Sequence, residues 1–553
     1  MMTLRGADVL AQALAAAGAR TIFSLSGNQI MPVYDAALDA GLRLIHVRHE
    51  AAAVHMADAW ARLTGEAGVA LLTAGQGHTN GVAALPTAWF AESPVVMLSG
   101  AAPLSQAGRG AFQEMDQPAI AAPLVKASWA AQTAAGLGAD LAKAIRLARS
   151  GRPGPVHISL PFDVLEEKIT GGVGPPEAAE FEPQSRNFSE RDTAKLHQLI
   201  AGAKRPLVIT GPALANARGR ALGARVADAL GVPVVCMESP RGVNDPSLGA
   251  FADVLKTADL VVLAGKRPDY TLRFGQAPAL AADCRFAIID PDPRGIKAAR
   301  VSLAGAASRV VFTTVADTVP VLEALCAASG KRRADGWADE VTAAIAHRPA
   351  AWATAAGADA RVHPAQIGRA VQSFIDQQRE AVLVADGGEF GQWAQACVQA
   401  PERIINGVGG SIGSAIPFAF AARIARPKAS VVALLGDGTF GFHLAEFDTA
   451  VRERVPFIAV VGNDACWNAE YQIQVNTYGA PRAQGCRLLP TRYDRVVEAL
   501  GGHGEYITRA DELPAALERA AASGLPACIN VALDGKPAPT VSRTTAPAGA
   551  GAH

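Results

Sequence analysis

Two aspartates follow consecutive apolar segments in the last third of the chain. Asp437 lies in the Gly-Asp-Gly tripeptide 436–438, directly after the apolar run 431–435. Asp464 follows a second apolar run, 457–461. Adjacent parallel strands would bring both carboxylates to one carboxyl edge of a sheet, where α/β proteins bind ligands. Carboxylate oxygens suit Mg²⁺ or Ca²⁺, and a helix starting after the second glycine would attract phosphate. The pattern therefore predicts a metal and diphosphate site.

The same stretch has a simpler interpretation. Apolar residues between 442 and 451 predict one helix between the two strands. A bare Gly-Asp-Gly would then be the acidic turn of an ordinary strand–helix–strand unit.

Glu50 is a second candidate for chemistry. It lies between a predicted strand, 43–46, and a predicted helix, 51–64. A carboxylate in this place can hydrogen-bond a ring nitrogen of a ligand. The alternative is a helix N-terminal glutamate that complements the helix dipole.

Composition limits the class of protein. The 553 residues contain 51 Lys and Arg and 51 Asp and Glu, and the zero formal charge argues against a nucleic-acid or anionic-membrane surface. Seven scattered cysteines without a CxxC pair indicate reduced thiols and a cytoplasmic protein. No apolar run predicts a membrane span, and the N-terminal segment lacks the pattern of a signal peptide.

Strands alternating with helices predict parallel α/β architecture. Stretches rich in Gly, Pro and small polar residues, 171–189 and 355–361, read as linkers. The predicted domains are 1–175, 190–345 and 360–536, followed by an Ala-, Pro- and Gly-rich tail, 537–553, that is expected to be disordered.

Several stretches together resemble the thiamine-diphosphate-dependent enzymes. The Gly-Asp-Gly motif is followed, after 24 intervening residues, by Asn463-Asp464, which resembles the cofactor motif of that family. The stretches HVRHEAAAVHMADAWARLTG, AGQGHTN, GRGAFQEMDQ and GRPGPVHISLPFDV resemble the pyrimidine-binding domain of acetolactate synthase, benzaldehyde lyase and 2-hydroxyacyl-CoA lyase. The resemblance covers almost the whole chain. It implies three consecutive parallel-sheet α/β domains, for pyrimidine binding, a central role and diphosphate binding, of which the first and last are similar.

The resemblance assigns roles to the three acidic residues. Mg²⁺ is expected on the carboxylate of Asp437, the side chain of Asp464 and the main-chain carbonyl of Cys466. Relatives usually carry Asn at position 464, so Asp464 adds a negative charge. Glu50 is expected to bond the aminopyrimidine N1′ and to favour the imino form, whose 4′-nitrogen removes the thiazolium C2 proton; the cofactor carries the hard chemistry.

Two glutamines are expected in the substrate pocket. Gln113 matches a glutamine that faces the reacting carbon, and its alternative is a surface-loop glutamine. Gln29 stands where benzaldehyde lyase and the acyl-CoA lyases carry a histidine, while acetolactate synthases carry none. Glutamine cannot replace histidine as an acid or base, so Gln29 favours the acetolactate synthase-like interpretation.

Further positions are expected to contact the cofactor. Ile412 would be the apolar wedge that holds it bent, and the carbonyl of Gly410 would accept from its 4′-amino group. The other expected positions are Gly75, Gly77, Asn80, Glu389, Phe390, Gly436, Gly438 and Thr439.

The central domain is expected to be structural. Relatives hold FAD or another nucleotide there, so FAD is possible, but no Gly-rich dinucleotide fingerprint follows its strands.

The predicted function is a thiamine-diphosphate- and Mg²⁺-dependent decarboxylase and carboligase acting on a 2-oxo acid. The first alternative is an acyloin or 2-hydroxyacyl-CoA lyase, which cleaves a C–C bond without releasing CO₂. The second is a catalytically inactive cofactor-binding partner subunit. The resemblance implies a homodimer or homotetramer with active sites between subunits.

Overall fold

Continuous apolar runs, rather than alternating ones, form the central strands of this chain. The strands 68–72, 206–210, 260–264 and 381–385 are buried at every position. A strand covered on both faces of a sheet shows this pattern, which is typical of parallel sheets flanked by helices. The computed structural model describes residues 3–171, 173–327, 336–358 and 361–543. None of the helices in these ranges is long and apolar enough to cross a membrane.

The first part of the chain contains a six-stranded parallel sheet. The strands of this part are β1 (Thr3–Arg5), β2 (Thr21–Ser24), β3 (Arg43–His46), β4 (Gly68–Leu72), β5 (Val95–Ala101), β6 (Ser128–Ala130), β7 (Val156–Pro161) and β8 (Lys168–Thr170), of which β2 to β7 form the six-stranded sheet. Its helices are α1 (Gly6–Ala16), α2 (Met31–Asp39), α3 (Glu50–Thr64), α4 (Gln76–Val82), α5 (Leu85–Phe90), α6 (Gln117–Ala121), α7 (Leu137–Arg149), α8 (Phe162–Glu166) and α9 (Ala178–Phe181). The sheet order is β3-β2-β4-β5-β7-β6, and β1 pairs with β8 in a separate antiparallel ribbon.

The middle part contains a five-stranded parallel sheet of order β10-β9-β11-β12-β13. These strands are β9 (Pro206–Thr210), β10 (Val234–Cys236), β11 (Leu260–Ala264), β12 (Arg285–Asp290) and β13 (Val310–Val315). The helices are α10 (Glu190–Ala201), α11 (Ala217–Leu230), α12 (Phe251–Leu255), α13 (Pro293–Ser302), α14 (Thr318–Ala327), α15 (Trp337–Ala346) and α16 (Ala351–Thr354).

The last part contains a second six-stranded parallel sheet, of order β15-β14-β16-β17-β19-β18. These strands are β14 (Ala381–Ala385), β15 (Glu402–Ile405), β16 (Ser430–Gly436), β17 (Ile458–Asn463), β18 (His503–Ile507) and β19 (Ala527–Ala532). The helices are α17 (Pro364–Asp376), α18 (Gly388–Cys397), α19 (Ala415–Ala425), α20 (Asp437–Phe440), α21 (Glu446–Glu453), α22 (Asn468–Tyr478), α23 (Tyr493–Ala499) and α24 (Leu513–Ala522).

The first and last sheets have the same topology. Counted from the first strand of each parallel sheet, both run 2-1-3-4-6-5. The predicted fold class, three parallel-sheet α/β domains of which the first and last are similar, is confirmed. In such sheets the order of the strands reverses between the first and third strands. Ligands bind at the carboxyl ends of the strands at this point.

Packing divides the chain into two units. The first unit comprises Met1–Gln184, Ile416–Pro427 and His443–Pro456, and the second comprises the remainder. Helix α21 therefore packs within the first unit, although its sequence lies between strands of the last sheet. The predicted domain boundaries at 175, 190, 345, 360 and 536 stay predictions.

The segment after the Gly-Asp-Gly tripeptide differs from its prediction. A single helix was expected through 442–451, but the short helix α20 ends at Phe440 and α21 begins only at Glu446. Gly438 lies inside α20 and Gly441 directly follows it, and glycine weakens a helix by about 1 kcal/mol relative to alanine, so the helix is interrupted before 442. Phe442, expected on the apolar face of a helix, is half exposed.

The first residues of the predicted disordered tail contact the folded chain. The indole of Trp393 donates to the carbonyl of Pro537 at 2.8 Å, and the backbone N–H of Arg543 donates to Asp253 at 2.8 Å. Residues 537 and 543 of this segment thus have partners in the described chain, 544–553 lie outside the described residues, and the predicted extent of the tail stays a prediction.

Candidate active site

Glu50 is the first residue of α3 and is 8% exposed. Its Oε2 accepts a hydrogen bond from Nδ2 of Asn80 at 3.0 Å. Its Oε1 lies 3.3 Å from the position that a Cβ on Gly77 would take. Both neighbours belong to α4, which follows β4, the next strand along the chain. The structure therefore brings together three of the predicted site residues at the carboxyl edge of the first sheet.

Gly75 shapes the loop before α4. Its φ of 62° and ψ of −116° are accessible to glycine but strained for other residues, and its N–H donates to Oε1 of Gln117 at 3.0 Å. A Cβ on Gly75 would lie 2.8 Å from Cβ of Gln113. Gln113 itself has a φ of 58°, and its amide approaches Oε1 of Gln76 at 3.4 Å. The predicted pocket glutamine thus lies against the glycine loop that borders Glu50.

Gln29 lies on the other side of this loop. Its side chain is buried, and its Oε1 accepts a hydrogen bond from Oγ1 of Thr73 at 3.0 Å. Cγ2 of the same threonine lies 2.6 Å from the Cβ position of Gly77. Gln29, Thr73 and Gly77 therefore form one wall, and Glu50 lies next to it. The amides of Gln29, Asn80 and Gln113 can orient a ligand but carry no charge.

In the second unit, Asp437 and Asp464 follow two paired strands. β16 and β17 are parallel, with Gly436 opposite Gly462. Both aspartates therefore lie just beyond the carboxyl ends of these strands, at one edge of the sheet. Asp437 is buried, and Oδ2 of Asp437 is, among the residues that the structure describes, a buried atom without a hydrogen-bond partner. Burial raises the pKa of Asp437 to about 6, and burial with the neighbouring charge of Asp437 raises the pKa of Asp464 to about 7.

This donor set fits a divalent cation. A cation would use the orphaned Oδ2 of Asp437 and relieve the repulsion between the two carboxylates. The hydrogen bonds that flank Cys466 use the carbonyls of Ala465 and Cys486, and burial raises the pKa of the Cys466 thiol to about 11. A contribution from Cys466 would therefore come from its carbonyl. Within the described ranges, no group of three or more His, Cys, Asp or Glu side chains could hold a metal, so the site depends on two carboxylates.

The Gly-Asp-Gly turn is narrow on one side. A Cβ on Gly438 would lie 2.7 Å from the ring of Trp467, whereas nothing within 4 Å would meet a Cβ on Gly436. Oγ1 of Thr439 donates to the carbonyl of Gly436 at 3.0 Å and closes the turn. The open side at Gly436 leaves room for a ligand.

Asp386 holds a second glycine loop beside this edge. Its buried carboxylate accepts hydrogen bonds from the N–H groups of Gly387, Gly413 and Ala415 at 2.7 to 3.1 Å. Burial raises its pKa to about 6 against the effect of these three donors. The loop carries Gly410, with a φ of 67°, and Ile412, whose Cγ2 lies 2.7 Å from the Cβ position of Gly387.

Glu389 and Phe390 have structural partners. Glu389 forms an ion pair with Arg241 at 3.3 Å and accepts from the N–H of Ala538 at 2.9 Å. The ring of Phe390 covers Gly462, 2.7 Å from its Cβ position, and belongs to the core. A cofactor contact from these two residues stays a prediction.

Sequence patterns did not identify three buried polar residues: Gln117, Asp386 and Glu446. Gln117 supports the backbone of Gly75, Asp386 supports the second glycine loop, and Glu446 accepts from the backbone before Glu50. These three bonds span 42, 27 and 398 residues of sequence, although each residue also has a nearer partner. No local pattern reveals such pairs, although a polar residue in an apolar context is a weak signal of one.

Comparison with known proteins agrees with this geometry. Residues 4–120 match the thiamine pyrophosphate enzyme N-terminal TPP binding domain, 193–313 the central domain, and 386–531 the C-terminal TPP binding domain. Thiamine pyrophosphate is another name for thiamine diphosphate.

Curated relatives cover nearly the whole chain. A probable acetolactate synthase of Mycobacterium bovis and the acetolactate synthase large subunit IlvG of Mycobacterium tuberculosis are each 33% identical over 543 residues, which is 96% of this chain and of each relative. The 2-hydroxyacyl-CoA lyase 2 of Homo sapiens is 32% identical over 550 residues, 92% of this chain and 86% of the relative. The chain is thus related to both groups of enzyme and belongs to the thiamine-diphosphate-dependent enzyme family.

Proposed function

We propose that the chain is a thiamine-diphosphate- and Mg²⁺-dependent decarboxylase and carboligase that acts on a 2-oxo acid. The observation that carries the proposal is the neutral surroundings of Glu50. Glu50 contacts Asn80 and Gly77, and the amides of Gln29 and Gln113 lie against the same glycine loop through Thr73 and Gly75. Similarity to acetolactate synthases along 96% of the chain supports it.

The neutral pocket favours loss of CO₂ over cleavage of a hydroxy substrate. Bound thiamine diphosphate supplies a carbon nucleophile and holds the electron pair that C–C bond cleavage releases. Loss of CO₂ requires no protein base, whereas cleavage of a hydroxy substrate requires a group that removes the hydroxyl proton. Gln29 cannot remove a proton, and its Oε1 already accepts from Thr73, so its Nε2 is the group that can orient a substrate.

We assign the residues as follows. Glu50, oriented by Asn80, holds a proton at the cofactor ring nitrogen. Gln113 and Gln29 orient the substrate carboxylate and carbonyl. Asp437, Asp464 and the carbonyl of Cys466 hold Mg²⁺ for the diphosphate. Gly75, Gly77, Gly410, Ile412, Gly436, Gly438 and Thr439 shape the cofactor site, and Glu389 and Phe390 are proposed as further cofactor contacts.

The assembly and compartment are part of the proposal. We propose a cytoplasmic homodimer or homotetramer in which Glu50 of one subunit and the carboxylates of another serve one cofactor. The central domain is proposed to hold no FAD.

A second candidate is a 2-hydroxyacyl-CoA lyase. The 32% identity to the human protein of that name favours it. A panel of 2-oxo acids, acyloins and 2-hydroxyacyl thioesters, scored for CO₂, aldehyde and carboligated product, separates the two. CO₂ from an oxo acid supports the first proposal. Aldehyde from a hydroxy substrate without CO₂ refutes it. The visible absorbance of the purified protein separately tests whether it holds a flavin.

A further inference from the structure

The turn before Glu50 is held by a buried carboxylate from a distant part of the sequence. Oε1 of Glu446, on α21, accepts hydrogen bonds from the backbone N–H groups of Arg48 at 3.0 Å and His49 at 3.2 Å. These are the two residues directly before Glu50. Glu446 is 1% exposed, so this contact is shielded from water.

Glu446 is itself held in place. Oγ1 of Thr449, one helical turn further along α21, donates to Oε2 of Glu446 at 2.7 Å. Arg452, on the next turn, donates to the carbonyl of His46 at 2.6 Å. Residues on one face of α21 therefore form hydrogen bonds to the backbone between the end of β3 and the start of α3.

Other contacts also hold the turn, among them the N–H of Val47, which donates to the carbonyl of Ser24 at 2.9 Å. His49 caps α3, since its Nδ1 accepts from the N–H of Ala51 at 3.1 Å, but its own N–H is bound by Glu446. The pairs Arg43–Glu453 and Arg48–Asp448, at 3.0 and 3.7 Å, lie at the surface, where ion pairs contribute little. Charge-assisted hydrogen bonds to a buried carboxylate are stronger, and loss of the acceptor leaves buried N–H groups unsatisfied.

We propose that Glu446 is a positioning residue for Glu50: it fixes the two amides that precede Glu50 and so sets the direction of the Glu50 carboxylate. This inference rests on the role proposed above for Glu50. A misplacement of about 1 Å at a reacting group can cost about 100-fold in rate, so a fixed turn has catalytic value.

Four variants test the inference. Glu446→Met removes the acceptor at similar size, and Glu446→Gln retains a carbonyl oxygen for the two amides. Thr449→Val removes only the hydrogen bond to Oε2 of Glu446. It replaces Glu446→Met as the test variant if that protein does not fold. Asp448→Asn, on the same helix, is the matched control.

The first measurement needs no cofactor. Hydrogen exchange at the amides of Arg48 and His49 in the cofactor-free protein should accelerate at least about 10-fold in Glu446→Met and measurably in Thr449→Val. Asp448→Asn and Glu446→Gln should stay within about threefold of wild type. Unchanged exchange at both amides in Glu446→Met, or in Thr449→Val if only that variant folds, overturns the inference.

The second measurement separates positioning from folding. In Glu446→Met, kcat should fall at least about 10-fold while KM and the Kd of Mg²⁺–thiamine diphosphate change less than about threefold, with Glu446→Gln restoring most of kcat. Equal losses in all three constants would mark Glu446 as merely structural and contradict the inference. If Glu50→Gln proves fully active while the exchange result holds, the proposed role of Glu50 fails instead.

Discussion

Asn80 donates a hydrogen bond to Oε2 of Glu50 at 3.0 Å, while Oε1 faces the backbone of Gly77. The carboxylate is thereby fixed by one neutral donor and one glycine. Since no salt bridge within the described ranges reaches this carboxylate, Glu50 stays able to accept from a ligand.

Replacing Glu50 by Gln should abolish most turnover without unfolding the protein. Glutamine is nearly isosteric and can still pair with Asn80, but it cannot hold and release a proton. We expect kcat to fall by about 10² to 10⁴, the usual value of a general acid–base group. Steady-state kinetics with circular dichroism checks this, and the exposed Glu66→Gln is the control. A kcat within threefold of wild type would contradict the role of Glu50.

Replacing Gly77 by Ala should disturb the site through Thr73. The new Cβ would lie 2.6 Å from Cγ2 of Thr73 and 3.3 Å from Oε1 of Glu50. Overpacking of this kind costs about 1–3 kcal/mol. The double variant Gly77→Ala with Thr73→Ser removes the clashing methyl group and keeps the hydroxyl that binds Gln29.

The double variant should therefore recover stability and part of the activity that Gly77→Ala loses. Thermal unfolding and kcat of both variants and of Thr73→Ser alone provide the comparison. If Thr73→Ser restores neither the stability nor the kcat of Gly77→Ala, the methyl group of Thr73 is not the reason for a glycine at position 77.

Replacing Asp437 by Ala should remove Mg²⁺-dependent binding of thiamine diphosphate. Calorimetry with and without Mg²⁺ should show at least about a 100-fold weaker Kd, because a charged, buried ligand is lost. Unchanged affinity would refute the metal site.

Acid should weaken the metal site in the wild type. Burial raises the pKa of Asp437 to about 6 and that of Asp464 to about 7, and a cation competes with protons for these oxygens. Affinity for Mg²⁺ should fall as the pH drops from 7.5 to 5.5. The Asp464→Asn side chain cannot titrate, so the affinity of this variant for Mg²⁺ should depend less steeply on pH. An equally steep dependence would show that Asp464 is not a metal ligand.

Two buried histidines should make the first unit acid-sensitive. His443, in the segment before α21, lies 5.7 Å from His55 of α3, ring to ring, and burial lowers the pKa of each from 6.5 to about 3. Since the folded-state pKa is depressed, the neutral rings stabilise the fold above pH 6.5, and this stability is lost as the pH falls towards 3. At pH 5 the loss should be about 2 kcal/mol for each histidine.

Urea unfolding at pH 7 and pH 5 measures this loss. His443→Phe keeps a ring but cannot be charged, so it should remove about half of the pH dependence. The same pH dependence in His443→Phe and wild type would show that these histidines are not buried neutral.

The strands, the sheet type and the residues at strand ends could be predicted from sequence. Buried strands read as apolar runs, and Glu50, Gly75 and Asp437 lie next to such runs. These signals are local, so one sequence suffices to find them.

What could not be predicted depends on contacts between distant segments. Apolar spacing gave one helix after the Gly-Asp-Gly turn, whereas the chain forms α20 and α21 and packs the latter in the first unit. Composition alone would place the polar residues Glu446 and Gln117 at the surface, and it does not show that Asp386 is buried. They are buried because backbone N–H groups elsewhere need acceptors, a demand that appears only in the folded chain.

A crystal structure with Mg²⁺ and thiamine diphosphate tests the central claim most directly. We predict the Glu50 carboxylate within about 3 Å of the aminopyrimidine ring nitrogen, and Mg²⁺ between Asp437, Asp464 and the diphosphate. Glu50 should come from one subunit and the two aspartates from another. A cofactor bound elsewhere, or Glu50 turned away from an occupied site, would contradict the account.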